Sequence, residues 1–228
     1  MTYAAATSRR SHPRRGRSLA AAISLVLALA LAACTPPAQT PSGSSEPERT
    51  LVVGATNEPA SMDPWHNVAA AIPQVLLYNV YETLVKVDSS GEIKPLLAQR
   101  WEVSPDRLSY TFHLNPSAKF ASGAPVDAAA VVANITRMKG DAKLTATLKA
   151  QLDVVADASA PETHQVKITL NHPSIMWLYD MSSTLGMILD PAATGDLNTT
   201  SAGSGPYAVK AHNRGDSVVL ARNANYWA

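Results

Sequence analysis

The chain has 228 residues, enough for one or two domains, and its 46% hydrophobic and 16% charged content supports a packed core. The formal charge of +1 hides an asymmetry: Arg9, Arg10, Arg14, Arg15 and Arg17 lie in the first 17 residues, and no acid lies in the first 33. Beyond residue 33 there are 14 basic side chains against all 18 acids, a net of −4, which excludes the clustered basic face that nucleic-acid binding needs.

A single cysteine, Cys34, excludes an internal disulfide framework and a Cys-based zinc site. The six histidines (12, 66, 113, 164, 172 and 212) never fall at the i, i+4 spacing of a helical metal pair.

The arginine-rich start is followed by 15 uncharged residues, Leu19 to Ala33. That run is short for a membrane span, which needs about 20 apolar residues, and it suits the hydrophobic region of a secretory signal peptide. It ends in Leu31, Ala32, Ala33 and Cys34, which resembles the bacterial lipobox. In that motif the cysteine thiol receives a diacylglycerol, so the expectation is a signal peptide over 1–33 and a lipid on Cys34; export is expected by the general secretory route, with the twin-arginine route left open by the resemblance of Ser8, Arg9 and Arg10 to its signal. The other reading is an ordinary signal peptide with a coincidental cysteine. Residues 35–49 are dominated by Pro, Ser, Thr and Gly and cannot bury enough surface to fold, so 34–49 is expected to be a disordered tether.

The folded part is expected from Thr50. Leu51 to Ala55 reads as a buried strand, and Asn57 to Pro64 as a loop. Ile72, Val75, Leu76, Asn79 and Val80 recur at helical spacing, with Pro73 tolerated in the first turn. A hairpin is expected over Leu84–Lys94 with a polar turn at Asp88–Gly91, then strands at Arg100–Val103 and Ser109–Leu114. Asp127 is the expected N-cap of a helix that buries Val131, Ile135 and Met138 and stops at Gly140. Strands are expected at Leu152–Val155, Gln165–Leu170 and Met187–Leu189, a short helix at Ser174–Tyr179, and a last hairpin of Tyr207–Lys210 with Val218–Leu220. Tyr78, Tyr207, Tyr226 and Trp227 are expected in the core, and His164 and His172 at the surface.

Five blocks stand in one order along 50–228. They are Glu58 to Pro64, with Met62, Asp63 and Pro64 close to "LDP"; Tyr81–Val85 with Gly91–Ala98, Trp101 and Glu102; Tyr110–Leu114; Lys119–Arg137; and Gly203–Trp227. Together they resemble the extracellular solute-binding proteins of peptide and nickel ABC importers. The implied fold is α/β, a periplasmic-binding-protein type II-like mixed sheet. This chain is expected to be the first lobe with an inserted subdomain, the second lobe missing. Residues 50–84 and 186–228 would form the main part of the lobe, and 85–185 the inserted subdomain.

The resemblance also implies a function. The chain is expected to bind an oligopeptide or a similar small solute for delivery to an ABC permease and its ATPase. It is expected to act as a monomer without enzymatic activity or cofactor, although some members of that family carry nickel complexes or haem. It would sit outside the bacterial cell membrane, held by the lipid on Cys34.

The family's ligand contacts after its LDP fall here on Trp65, His66, Asn67, Val68, Ala69 and Ala70. His66 and Asn67 could hydrogen-bond a peptide amide and Trp65 could wall a pocket. The structural alternative puts Trp65 in the core and leaves His66 a solvated loop residue. Two other functions stay open: a secreted lipoprotein hydrolase, and a gene fragment with no present function. The first would need a nucleophile and base together, and Ser204 sits in Gly-Ser-Gly, outside the G-x-S-x-G elbow.

Overall fold

The computed structural model describes residues 50–67, 69–193, 195–197, 200 and 202–228. The expected signal region, Cys34 and the tether lie outside the described residues. Residues 53–228 form one unit, and residues 50–52 belong to a separate one.

The expected strand at 51–55 does not form. Leu51 and Val52 are exposed, as is Val53 at the start of the larger unit, and no strand is assigned there. Strand structure is a property of a pair, and no sheet among the described residues includes this β-prone run.

After the loop at 57–64 comes helix α1 (Ala71–Leu76), shorter than its apolar spacing suggests. It stops because Tyr78 turns left-handed at φ 62 and its N–H bonds to Tyr81 O, which redirects the chain. The Tyr78 hydroxyl donates to Ser182 O at 2.7 Å, so this ring is only half-buried, short of the expected core position. The hairpin follows as expected, β1 (Val85–Val87) against β2 (Ile93–Pro95). Asp88 builds its turn by accepting from Ser90 N, Ser90 Oγ and Glu92 N, and Gly91 supplies φ 83.

The main sheet is four-stranded and antiparallel. Its strands are β3 (Ala98–Val103), β4 (Ser109–Leu114), β5 (Val155–Glu162) and β6 (Gln165–Leu170), in the order β3-β4-β6-β5. The alternation in β4 and β6 turns Tyr110, Phe112, Leu114, Val166, Ile168 and Leu170 to one buried face. Helix α2 (Ala128–Gly140) lays Val131, Ile135 and Met138 into the same core. Asp127 caps it as expected, its Oδ1 accepting from Ala130 N at 2.8 Å. Trp177 fills the space beside Tyr110 and Phe112, with ring centres 4.5 and 6.0 Å away.

Helix α3 (Ala146–Leu152), capped by Thr145, occupies the approach to the strand expected from Leu152. Leu148 and Leu152 lie one turn apart on its buried side, so Leu152 ends a helix and β5 begins only at Val155. A short α4 (Trp177–Asp180) and a 3₁₀ turn (Thr184–Gly186) lead to Met187–Leu189. That last segment is buried but is not a strand; Ile188 N bonds to Glu82 O, and Leu189 is held from both sides by the Asn134 amide.

The final hairpin is β7 (Tyr207–Asn213) against β8 (Ser217–Arg222). Tyr207 is exposed and Tyr226 and Trp227 are half-buried, which corrects their expected core positions. They lie on and just beyond a two-stranded ribbon, which offers less cover than the four-stranded sheet. His172 is exposed and His164 half-buried.

Candidate functional site

The segment after Asp63 is built locally from turn-forming side chains. Ser61 Oγ accepts from Asp63 N, Asp63 Oδ1 accepts from Trp65 N, and Asn67 Oδ1 accepts from Ala69 N, at 3.0, 3.0 and 2.8 Å. These Asx-type bonds turn the chain twice before α1.

Three contacts then fix the segment to α2 and to the α2–α3 connection. The Arg137 guanidinium lies over the Trp65 ring, 5.0 Å from its centre. Thr145 N donates to Trp65 O at 3.3 Å. His66 sits between two carboxylates, with Nδ1 3.2 Å from Asp63 Oδ2 and Nε2 2.7 Å from Asp141 Oδ2. Desolvation raises the Asp141 carboxyl, but the His66 hydrogen bond and the Lys143 N–H outweigh it and hold it below its ordinary value.

The expected site residues fare differently. Trp65 is fully buried among core side chains, and its indole N–H has no partner. Burial of this ring fits the structural alternative for Trp65. His66 is the exposed tip of the segment, yet both its ring nitrogens face protein carboxylates. Asn67 and Ala69 are half-buried and Ala70 is exposed. Val68 lies outside the described residues. Arg137, which covers Trp65, also lines a cavity of about 190 Å³ with Ala133, Asn134, Leu189 and Pro191.

A second polar centre was not singled out in the sequence. Glu82 is buried, and its Oε2 accepts from Ser204 Oγ at 2.8 Å and from Trp227 Nε1 at 2.9 Å. Burial pushes its carboxyl up, against the lowering effect of those donors. It ties together three distant pieces of chain, 82, 204 and 227. The glycines beside Ser204 serve close approach: a Cβ on Gly203 would lie 1.8 Å from Val80 O, and one on Gly205 would lie 2.5 Å from Asn79 O. Ser204 is therefore a buried hydrogen-bond donor to a carboxylate. Among the described residues, no group of three or more His, Cys, Asp or Glu is placed to hold a metal ion, and no helix is long and apolar enough to cross a membrane.

Residues 92–228 match the family described as bacterial extracellular solute-binding proteins, family 5, middle region. The chain belongs to this family of solute-binding proteins. The probable D,D-dipeptide-binding periplasmic protein DdpA of Escherichia coli is 33% identical over 220 residues, which is 88% of this chain and 40% of that protein. The glutathione-binding protein GsiB of Escherichia coli is 27% identical over 78% of this chain and 35% of its own length. Among solved structures, the Escherichia coli murein tripeptide binding protein MppA superposes with a TM-score of 0.67 at 26% identity, over 75% of this chain and 37% of MppA. The fold is that of the type II-like periplasmic binding proteins, and the chain spans about two fifths or less of the length of these relatives.

Proposed function

We propose that this chain is the first lobe of a receptor that binds a short peptide or similar small solute and hands it to an ABC permease driven by a separate ATPase. Family membership is the observation that carries the reading, because relatives named for a D,D-dipeptide, glutathione and a murein tripeptide align with most of this chain. Residues 65–70 would face the solute, with His66 and Ala70 the exposed positions of the segment. Residues 50–84 and 186–228 would form the main part of the lobe and 85–185 the inserted subdomain. Binding would close this lobe and a second one around the solute, and the permease would read the closed form. A lipid on Cys34 would hold the receptor, as a monomer, at the outer side of the cell membrane.

The energetics give the test. If two lobes reached micromolar affinity, about −8 kcal/mol, and each supplied roughly half, this chain alone would bind near millimolar, about −4 kcal/mol. A ¹⁵N-resolved titration of the chain with a D,D-dipeptide and with glutathione, up to about ten times that millimolar constant, should shift the amides of 65–70. No shift in that segment with either solute would overturn the site. A micromolar constant would overturn the two-lobe reading, because one lobe would then suffice.

A further inference from the structure

We propose that Arg137 and the cavity beside it bind a small free monocarboxylate, at a site separate from the segment 65–70. Arg137 lies one turn beyond Ala133 and Asn134 on α2, so the three share a face of the helix. With Leu189 and Pro191 they line a cavity of about 190 Å³. Arg137 and Pro191 are exposed, so the cavity is reachable from solvent.

The cation there is held in place without being neutralised. Its guanidinium stacks 5.0 Å from the centre of the Trp65 ring, and that ring is fully buried, which makes it a fixed platform. Among the described residues, nothing hydrogen-bonds or ion-pairs with this guanidinium. The acids nearest in the fold are already committed. Asp63 accepts from Trp65 N through Oδ1 and faces His66 through Oδ2. Asp141 accepts from Lys143 N through Oδ1 and faces His66 through Oδ2. Asp190, between the wall residues Leu189 and Pro191, accepts from Ser122 Oγ at 2.6 Å and from Ala192 N at 2.9 Å.

The rest of the wall sets the class of ligand. Asn134 spends its amide donors on Ala130 O and Leu189 O and accepts from Leu189 N, so it fixes the wall. The side chains of Ala133, Leu189 and Pro191 are apolar. One unspent fork of N–H donors at the edge of an apolar wall matches a carboxylate with a short aliphatic tail. The volume equals about six waters at roughly 30 Å³ each. It falls below the roughly 300–1,000 Å³ of pockets that enclose larger ligands, so a four-carbon acid fits and a whole peptide does not.

Butyrate is the probe, titrated into the full chain at constant ionic strength and read by ¹⁵N-resolved shifts. The Arg137 Nε–H and the amides of Ala133 and Leu189 should shift and saturate at millimolar butyrate, while those of Tyr110 and Ile168 in the main sheet stay still. Arg137→Gln should weaken binding at least about tenfold, the scale of a hydrogen bond to a charged group. Ala133→Leu keeps the guanidinium and fills the cavity, so it should weaken butyrate as well, and it stands as the test if the first variant fails to fold. Acetate should bind more weakly than butyrate, because it leaves the apolar wall bare. No saturable shift, a response to chloride equal to that to butyrate, or unchanged affinity in both variants overturns the site. Displacement of butyrate by D-alanyl-D-alanine overturns its separateness, since the solute's own carboxylate would then be the occupant. The solute titration is independent: saturation by butyrate without any solute shift in 65–70 supports this site and overturns only the solute-binding reading.

Discussion

Glu82 is the most consequential buried charge in the described chain. Its carboxylate sits in the core and accepts from the Ser204 hydroxyl and the Trp227 indole. Glu82→Ala would remove the acceptor from both donors and leave a void. Each orphaned donor costs about 1–3 kcal/mol, so the variant should lose about 2–5 kcal/mol. For a chain of this size that lowers Tm by roughly 5–15 °C. Glu82→Gln is the informative partner, because its carbonyl oxygen can still accept while the charge is gone. The Glu82 carboxyl is held above its ordinary value of 4.5, chiefly by desolvation, so the folded state binds that proton more tightly than the unfolded state. Stability from this group is therefore greatest in acid and falls as pH rises from the ordinary carboxyl range through the raised folded value. Lys86 and Tyr226 are the titratable neighbours that share its field. Urea unfolding of parent and Glu82→Gln between about pH 4.5 and pH 8, a window set by that linkage, should show the parent losing stability relative to the variant as pH rises. A parent that gains on the variant across this window would refute the assignment, since it would mean that the donors outweigh burial and that the carboxylate is a net stabilising charge.

Three further outcomes are expected. Asp127→Ala removes the side-chain acceptor for Ala130 N at the start of α2 and should cost about 1 kcal/mol in urea unfolding, with Asp127→Asn retaining most of it. Gly203→Ala would drive a methyl to 1.8 Å from Val80 O, a clash with backbone that cannot rotate away; it should cost more than about 4 kcal/mol or abolish folding, read by circular dichroism and soluble yield. Cys34→Ala should release the protein from membranes into the aqueous phase of a detergent partition, and wild-type chain that incorporates no fatty acid would rule out the anchor.

Local features carried much of the fold in legible form. Asp127 followed by apolar residues at helical spacing marked α2, and the alternation through Tyr110, Phe112 and Leu114 marked β4. What could not be read was anything decided by a partner. The β-prone run Leu51 to Ala55 needs a neighbouring strand to become one. Met187 to Leu189 read as a strand, but its backbone is satisfied by Glu82 and by the Asn134 side chain, where a strand would use a ladder. Helix α3 had a readable cap in Thr145 and an i, i+4 pair in Leu148 and Leu152, a signal masked by the β-branched Val154 and Val155 that follow. Gly203 and Gly205 take no positive φ; they are needed for the space that the backbone of Asn79 and Val80 occupies, which no local pattern announces.

The same distinction governs the candidate segment 65–70. Its position after Asp63 follows from a short motif, and its local turns follow from Asp63 and Asn67. Its orientation is set from elsewhere, by Arg137 over Trp65, Asp141 on His66 and Thr145 on the Trp65 carbonyl. All three come from the end of α2 and the connection that follows. The end of α2 and that connection, far from 65–70 in sequence, hold the segment through these three contacts. If 65–70 faces the solute as proposed, substitutions at Arg137 and Asp141 should alter solute affinity without touching solute, and affinity differences between such variants should track the opening of the Trp65 and Ala69 amides. Affinity that changes while those amides stay protected would mean that Arg137 or Asp141 contacts the solute directly, and the positioning account would fail.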